Sequence, residues 1–164
     1  MGVLAEYLKS GAEQLKAEKV KRRSVVREWV NSLNGLYQQI QEWLKVCDPE
    51  NLIECSIEQV SGRELAFGPH QVPVLKLTLV DRSIQFEPVA RYMAATVRPP
   101  GQETPVRVQG GVQLRGLGGR ECYLFLLNDG KWYIQKEFEN LRKGNDVVPL
   151  DADQFEAVVR ESLG

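Results

Sequence analysis

The sequence predicts an α+β domain: a long N-terminal amphipathic helix, an antiparallel sheet of about six to eight strands, and a short C-terminal helix packed on that sheet. Three observations carry this. Residues 4–46 contain no proline and space their apolar side chains at helical intervals. From residue 52 to about 138 the apolar period falls to two, with turn residues between the runs. Residues 150–163 open with helix-capping chemistry and return to helical spacing. The chain has 164 residues, of which 43% are hydrophobic and 26% charged, with formal net charge -1. That is ordinary for one soluble globular domain, and closure of the sheet into a partial barrel stays open as an alternative.

The second half of the first helix is the clearer part. Val26, Val30, Leu33, Tyr37, Ile40 and Leu44 alternate spacings of four and three, as do the core positions of a heptad seam. Trp29, Leu36 and Trp43 recur every seven residues along one flank, so the apolar face is wide. Leu4, Leu8, Ala12 and Leu15 keep the same angular phase at about 100° per residue. Between the halves that stripe is interrupted by Glu18, Lys19 and Arg22, whose unpaired burial would cost several kcal/mol each. The helix therefore either runs on and overhangs solvent or a partner around residues 16–24, or breaks near Ser24 as an N-cap. No Gly or Pro forces a break there, which favours continuity. Asp48-Pro49 ends the helix.

Ile53, Cys55 and Ile57 alternate with Glu54, Ser56 and Glu58, the pattern of a half-buried strand with a wet acidic face. Leu65 to Phe67 reads as the next strand, followed by a hairpin of Leu75, Leu77 and Leu79 with Ile84 and Phe86 around Asp81-Arg82-Ser83. Further strands are expected at Tyr92 to Val97, Val106 to Val108 and Val112 to Leu114, with Pro99 to Thr104 as a loop. Asn128-Asp129-Gly130-Lys131 centres the firmest hairpin. A type I′ turn there would set Leu127 opposite Trp132 and Phe125 opposite Ile134. Leu124 and Leu126 are apolar on the other face, so this strand should be covered on both sides. For the last helix Asp151 is the N-cap candidate, Gln154 the N3 residue, and Leu150 with Phe155 the hydrophobic staple.

Chemistry is harder to find. Cys47, Cys55 and Cys122 are an odd number without C-x-x-C spacing, so reduced thiols and a cytoplasmic setting are expected. No apolar run approaches the ~20 residues of a membrane span, and no secretory h-region opens the chain. His70 is the only histidine and sits in a Gly-Pro-His turn setting, leaving a triad without a visible neighbour. Gly110, Gly111, Gly116, Gly118 and Gly119 lack the Lys-Ser/Thr and helix of a phosphate loop and read as turns or a bent strand. Glu54 and Glu58 stand roughly 13 Å apart along a strand, too far to couple. No catalytic residue, metal ligand or cofactor is expected, and an enzymatic role stays undecided, leaning against.

The sharpest local feature is basic. Lys16, Lys19, Lys21, Arg22, Arg23 and Arg27 face Glu18 alone, whereas residues 47–164 carry 13 basic and 17 acidic side chains, net -4. Lys16, Lys19, Arg23 and Arg27 fall along one stripe of a continuous helix. The leading expectation is a non-enzymatic interaction or assembly domain. Its candidate contacts to a protein partner or another copy are Trp29, Leu36, Trp43, Lys16, Lys19, Arg22, Arg23 and Arg27. The alternative is nucleic-acid binding through the basic stretch and a sheet face bearing Arg98, Arg107, Arg115 and Arg120 near Tyr123, Trp132 and Tyr133.

Overall fold

A computed structural model describes residues 2–62, 64, 67–92, 95–116, 122–135 and 146–163. Helix α1 runs unbroken from Val3–Cys47, so the basic stretch is helical throughout. Continuity follows from the absence of a breaker, although Glu18, Lys19 and Arg22 stand on the apolar stripe, because that part of α1 touches no core. Every residue from Gly2 to Ser24 is exposed apart from half-buried Gly11. The overhang thus begins at the N-terminus, and Leu4, Leu8 and Leu15 stand in solvent with the cations. Burial starts at Trp29 and ends at Leu44, a span of roughly 22 Å at 1.5 Å per residue.

Asp48 closes α1 and redirects the chain. Its backbone N–H bonds Leu44 O at 2.8 Å, while its carboxylate accepts from Leu52 N and Ile53 N at 3.0 and 2.8 Å. The strands follow: β1 (Glu54–Ser61), β2 (Gln71–Leu79), β3 (Arg82–Ala90), β4 (Thr96–Val97), β5 (Val106–Arg107), β6 (Gly110–Arg115), β7 (Cys122–Leu126), β8 (Trp132–Gln135) and β9 (Val148–Pro149), before α2 (Ala152–Leu163). Seven strands make one antiparallel sheet in the order β1-β2-β3-β6-β7-β8-β9, and β4 pairs with β5 separately. The main sheet is open, with β1 and β9 at its edges.

One face of the sheet presents Leu75, Leu77, Ile84, Phe86, Leu124 and Ile134 to Leu33, Tyr37 and Ile40 of α1 and to Phe155 and Val158 of α2. The other face of β7 and β8 is closed by Val97, Val108 and Val147 over Phe125 and Tyr133. β7 is therefore covered on both sides and central, as its uninterrupted apolar run predicts. The C-terminal helix also follows its local chemistry: Gln154 N donates to Asp151 Oδ1 at 2.8 Å, and Leu150 packs on the cluster that holds Phe155.

Two expectations are corrected, and two more fall partly outside the described residues. The β7–β8 hairpin pairs Leu126 with Trp132 and Phe125 with Tyr133, one residue away from the type I′ register. Its loop has three residues, with Gly130 at φ +77° and no positive φ at Asp129, a type I turn closed by a glycine bulge. That register sends Trp132 and Ile134 to the helix layer together. β1 is exposed along all eight residues, so the Cys55 and Ile57 face is not buried. Its neighbours Leu75 and Leu77 are buried beneath α1, but the helix lies over β2 and β3, where Tyr37 Oη reaches Pro73 O, and β1 falls outside its footprint. Residues 65 and 66 of the expected Leu65 to Phe67 strand lie outside the described residues, and Phe67 N closes a turn on Glu64 O. The Tyr92 to Val97 strand is reduced to Thr96–Val97, residues 93 and 94 also lying outside the described set.

Candidate functional site

Two surfaces stand out, both made by α1. The first is its projecting length. Leu4, Leu8 and Leu15 share one helical face and are 67%, 59% and 65% exposed, more than monomeric surfaces need to leave on one stripe. Lys16, Lys19, Arg22, Arg23 and Arg27 are all exposed on the same length of helix. Lys19 and Arg22 continue the line of Leu8 and Leu15, so a single face runs from apolar to cationic before it enters the core at Trp29.

The second surface is a groove of about 690 Å³ between α1 and the end of the sheet that carries the β7–β8 turn. On the helix side it is lined by Ser32, Gly35, Leu36, Gln39 and Trp43, a single face at helical spacing. Opposite stand Leu126, Trp132 and Leu150, with Arg91, Gln109 and Lys131 supplied by turns. Trp43 and Trp132 are half-buried, and each is braced from behind. Trp43 packs on Phe155 with ring centroids 5.6 Å apart, and Trp132 on Trp29 at 6.1 Å. Arg91 is held by its Nη1, which donates to Gln109 O, and by its guanidinium lying 4.6 Å from the centroid of the Tyr92 ring. Glu64 Oε1 accepts from the Arg91 main-chain N–H at 2.5 Å.

The seven-residue repeat thus divides by role. Trp29 and Leu36 are 2% and 3% exposed and are spent on the molecule's own core, which removes them as direct partner contacts in this conformation. Leu36 still forms part of the groove wall, and Trp43 lines it openly. The cations of the projecting helix are not brought to these side chains: Lys16 lies roughly 40 Å along the axis from Trp43. Arg91, Gln109 and Lys131 escaped sequence reasoning, which sets Trp132 on a base-stacking sheet face rather than in this groove. Only the turn chemistry at Gly130 and the apolar run before it signalled that anything would gather there.

The sheet face proposed for base stacking is occupied. Tyr133 and Phe125 are buried under Val97 and Val108, Tyr123 stacks on Phe125 at 5.8 Å, and Trp132 points to the opposite layer. Arg115 Nε is paired with Glu87 Oε2 at 2.5 Å, and Arg120 lies outside the described residues. His70 bonds Gly68 O through Nδ1 at 2.8 Å and meets Phe67 edge-on, contacts that hold a turn. Gly110 and Gly111 belong to strand β6, and the register shift there places the extra residue, Val89, in β3, so the bulge lies opposite the glycines rather than at them. Gly118 and Gly119 lie outside the described residues. Among the described residues no three His, Cys, Asp or Glu side chains gather as a metal site, and no helix is long and apolar enough to cross a membrane.

In the β7–β8 turn, partial burial pushes Asp129 up, but hydrogen bonds from Tyr133 Oη at 2.6 Å and Lys131 N at 3.0 Å hold its carboxyl below the usual range. The same bond, with burial, raises the Tyr133 phenol. The pair locks the turn that carries Lys131 to the groove. No known family model matches this chain, and no curated protein or solved structure shows detectable similarity to it.

Proposed function

We propose that this protein is a non-enzymatic interaction module in which the projecting part of α1 docks on another protein, in the first instance a second copy of the same chain. The reading is carried by one observation: Leu4, Leu8 and Leu15 form a stripe at least 59% exposed on a helix whose first buried residue is Trp29. Most helical stability in proteins comes from packing an amphipathic face, and covering this one supplies what propensity alone does not. The exposed thiols Cys47 and Cys55 suit a reducing, cytoplasmic setting.

Sedimentation equilibrium on the full chain tests this. Association at micromolar concentration is expected, and Leu8→Glu with Leu15→Glu should abolish it while far-ultraviolet circular dichroism and the unfolding temperature of the body stay as before. A chain that remains monomeric to the millimolar range overturns self-association, and association that ignores the double substitution overturns the leucine stripe as its surface.

A second reading rests on the exposed cations Lys16, Lys19, Arg23 and Arg27 along one side of the same helix. On it the helix binds nucleic-acid phosphates, with affinity that falls steeply as salt rises and falls again in Arg22→Glu, Arg23→Glu. Failure to retain any oligonucleotide at low salt removes this reading.

A further inference from the structure

The groove between α1 and the β7–β8 turn is independent of the projecting helix, and its composition is selective. We infer that it binds a small organic carboxylate with a flat apolar body: the ring system lies between Trp43 and Trp132, and the carboxylate meets Arg91 and Lys131.

Four observations converge on this class of ligand. The volume of about 690 Å³ is in the range of small-molecule sites, and the walls offer two braced aromatic faces over Leu36 and Leu126. Among the described residues the charged ones lining the groove are both cations, on a body that is otherwise net acidic. Asp129, beside Lys131 in sequence, spends its carboxylate on Tyr133 Oη and Lys131 N, on the other face of the sheet. Arg91 is immobilised by Gln109 O and by Tyr92, so its guanidinium is held in place at the groove wall. A guanidinium already fixed loses little side-chain freedom on pairing, and a carboxylate is the acceptor that matches its planar donors.

Gly35 is the fourth observation. It lies in the middle of α1, where glycine is disfavoured relative to alanine, and a Cβ there would meet nothing within 4 Å. The fold itself has no steric need for this glycine. It lines the groove, and its missing side chain leaves the helix backbone open to close approach by a ligand.

The test titrates the full chain with 3-phenylpropionate and with its neutral amide, followed by tryptophan fluorescence and by the indole N–H resonances. Saturable binding of the acid is expected, with shifts at the Trp43 and Trp132 indoles, and the amide should bind about tenfold more weakly. Lys131→Gln changes an exposed side chain and should weaken the acid several-fold. Gly35→Leu enters open space in the fold and should block the groove without loss of stability. Leu8→Glu with Leu15→Glu should leave binding untouched, which separates this site from the projecting helix. Equal affinity for acid and amide, indifference to both Lys131→Gln and Gly35→Leu, or no saturable binding at all overturns the assignment.

Discussion

At Gly110 the absence of one methyl group lets Trp29 reach the sheet. A Cβ there would stand 2.5 Å from the indole and 3.3 Å from Arg91 O, so the anchor of α1 and the Arg91 turn both depend on it. Gly110→Ala is expected to cost about 1–3 kcal/mol in denaturant unfolding, the usual range for overpacking a tight site. Val80 shows the reverse economy. It holds φ +57° in the two-residue turn from β2 to β3, is 91% exposed, and gains no contact for adopting a backbone that β-branched residues avoid. Val80→Gly should relieve about 1–2 kcal/mol of backbone strain and return part of it as unfolded-state entropy, a net gain of up to about 1 kcal/mol. Tyr37 couples stability to pH. Its Oη donates to Pro73 O at 2.8 Å, with Phe86 O at 3.3 Å, and burial raises the phenol well above its ordinary 10. The folded chain keeps this proton while the unfolded chain releases it near pH 10, so above that pH the unfolded state binds fewer protons and stability falls. The contribution is complete below pH 10 and declines by up to about 1.4 kcal/mol per pH unit above it. Tyr37→Phe should remove that slope and, by stranding the buried carbonyls, cost about 1–2 kcal/mol at neutral pH.

Within α1, what a local pattern determines was legible and what the topology determines was not. The alternating spacing of Val26, Val30, Leu33, Tyr37, Ile40 and Leu44 marked the seam, of which the last four are buried and Val26 and Val30 half-buried. The repeat of Trp29, Leu36 and Trp43 marked a second flank, but nothing local shows what faces it. The groove's far wall comes from residues 91, 109, 126 and 132, which neighbour one another through the pairing of β3, β6, β7 and β8. The same limit explains β1. Alternation identified the strand, whereas its burial depends on where a helix from elsewhere in the chain comes to rest. At the β7–β8 turn Asp129-Gly130 suits either a two-residue or a three-residue loop. The choice falls to packing, because only the longer loop places Trp132 beneath Trp29 and Tyr133 within reach of Asp129. Hydrogen exchange should resolve α1 into its two parts. Amides from Trp29 to Leu44 should exchange only with global unfolding, and those before Ser24 by local fraying at far lower cost. Protection before Ser24 should rise with protein concentration, because docking covers this length; protection independent of concentration would mean that it stands alone.

Charge is divided over the molecule as apolar surface is. Residues 3–28 carry seven basic and four acidic side chains, net +3, while the remaining residues carry 14 and 18, net -4. Two modes of self-association follow, and salt separates them. If projecting helices pair with each other through Leu4, Leu8 and Leu15, then Lys19 and Arg22 on the same face are brought against their counterparts, and salt should strengthen the assembly by screening that repulsion. If the helix lies instead on the acidic body of a second copy, its cations meet opposite charge and salt should weaken the assembly. The second mode is expected, because Lys19 and Arg22 occupy the line where a helix pair would need apolar side chains. Sedimentation at low salt and again at about 0.5 M, where screening acts within a few ångströms, should show the weaker association at the higher salt. The quadruple change Lys16→Glu, Lys19→Glu, Arg23→Glu and Arg27→Glu converts the projecting helix from +3 to -5. It should prevent association at low salt altogether, whereas association that grows with salt would place the two helices against each other.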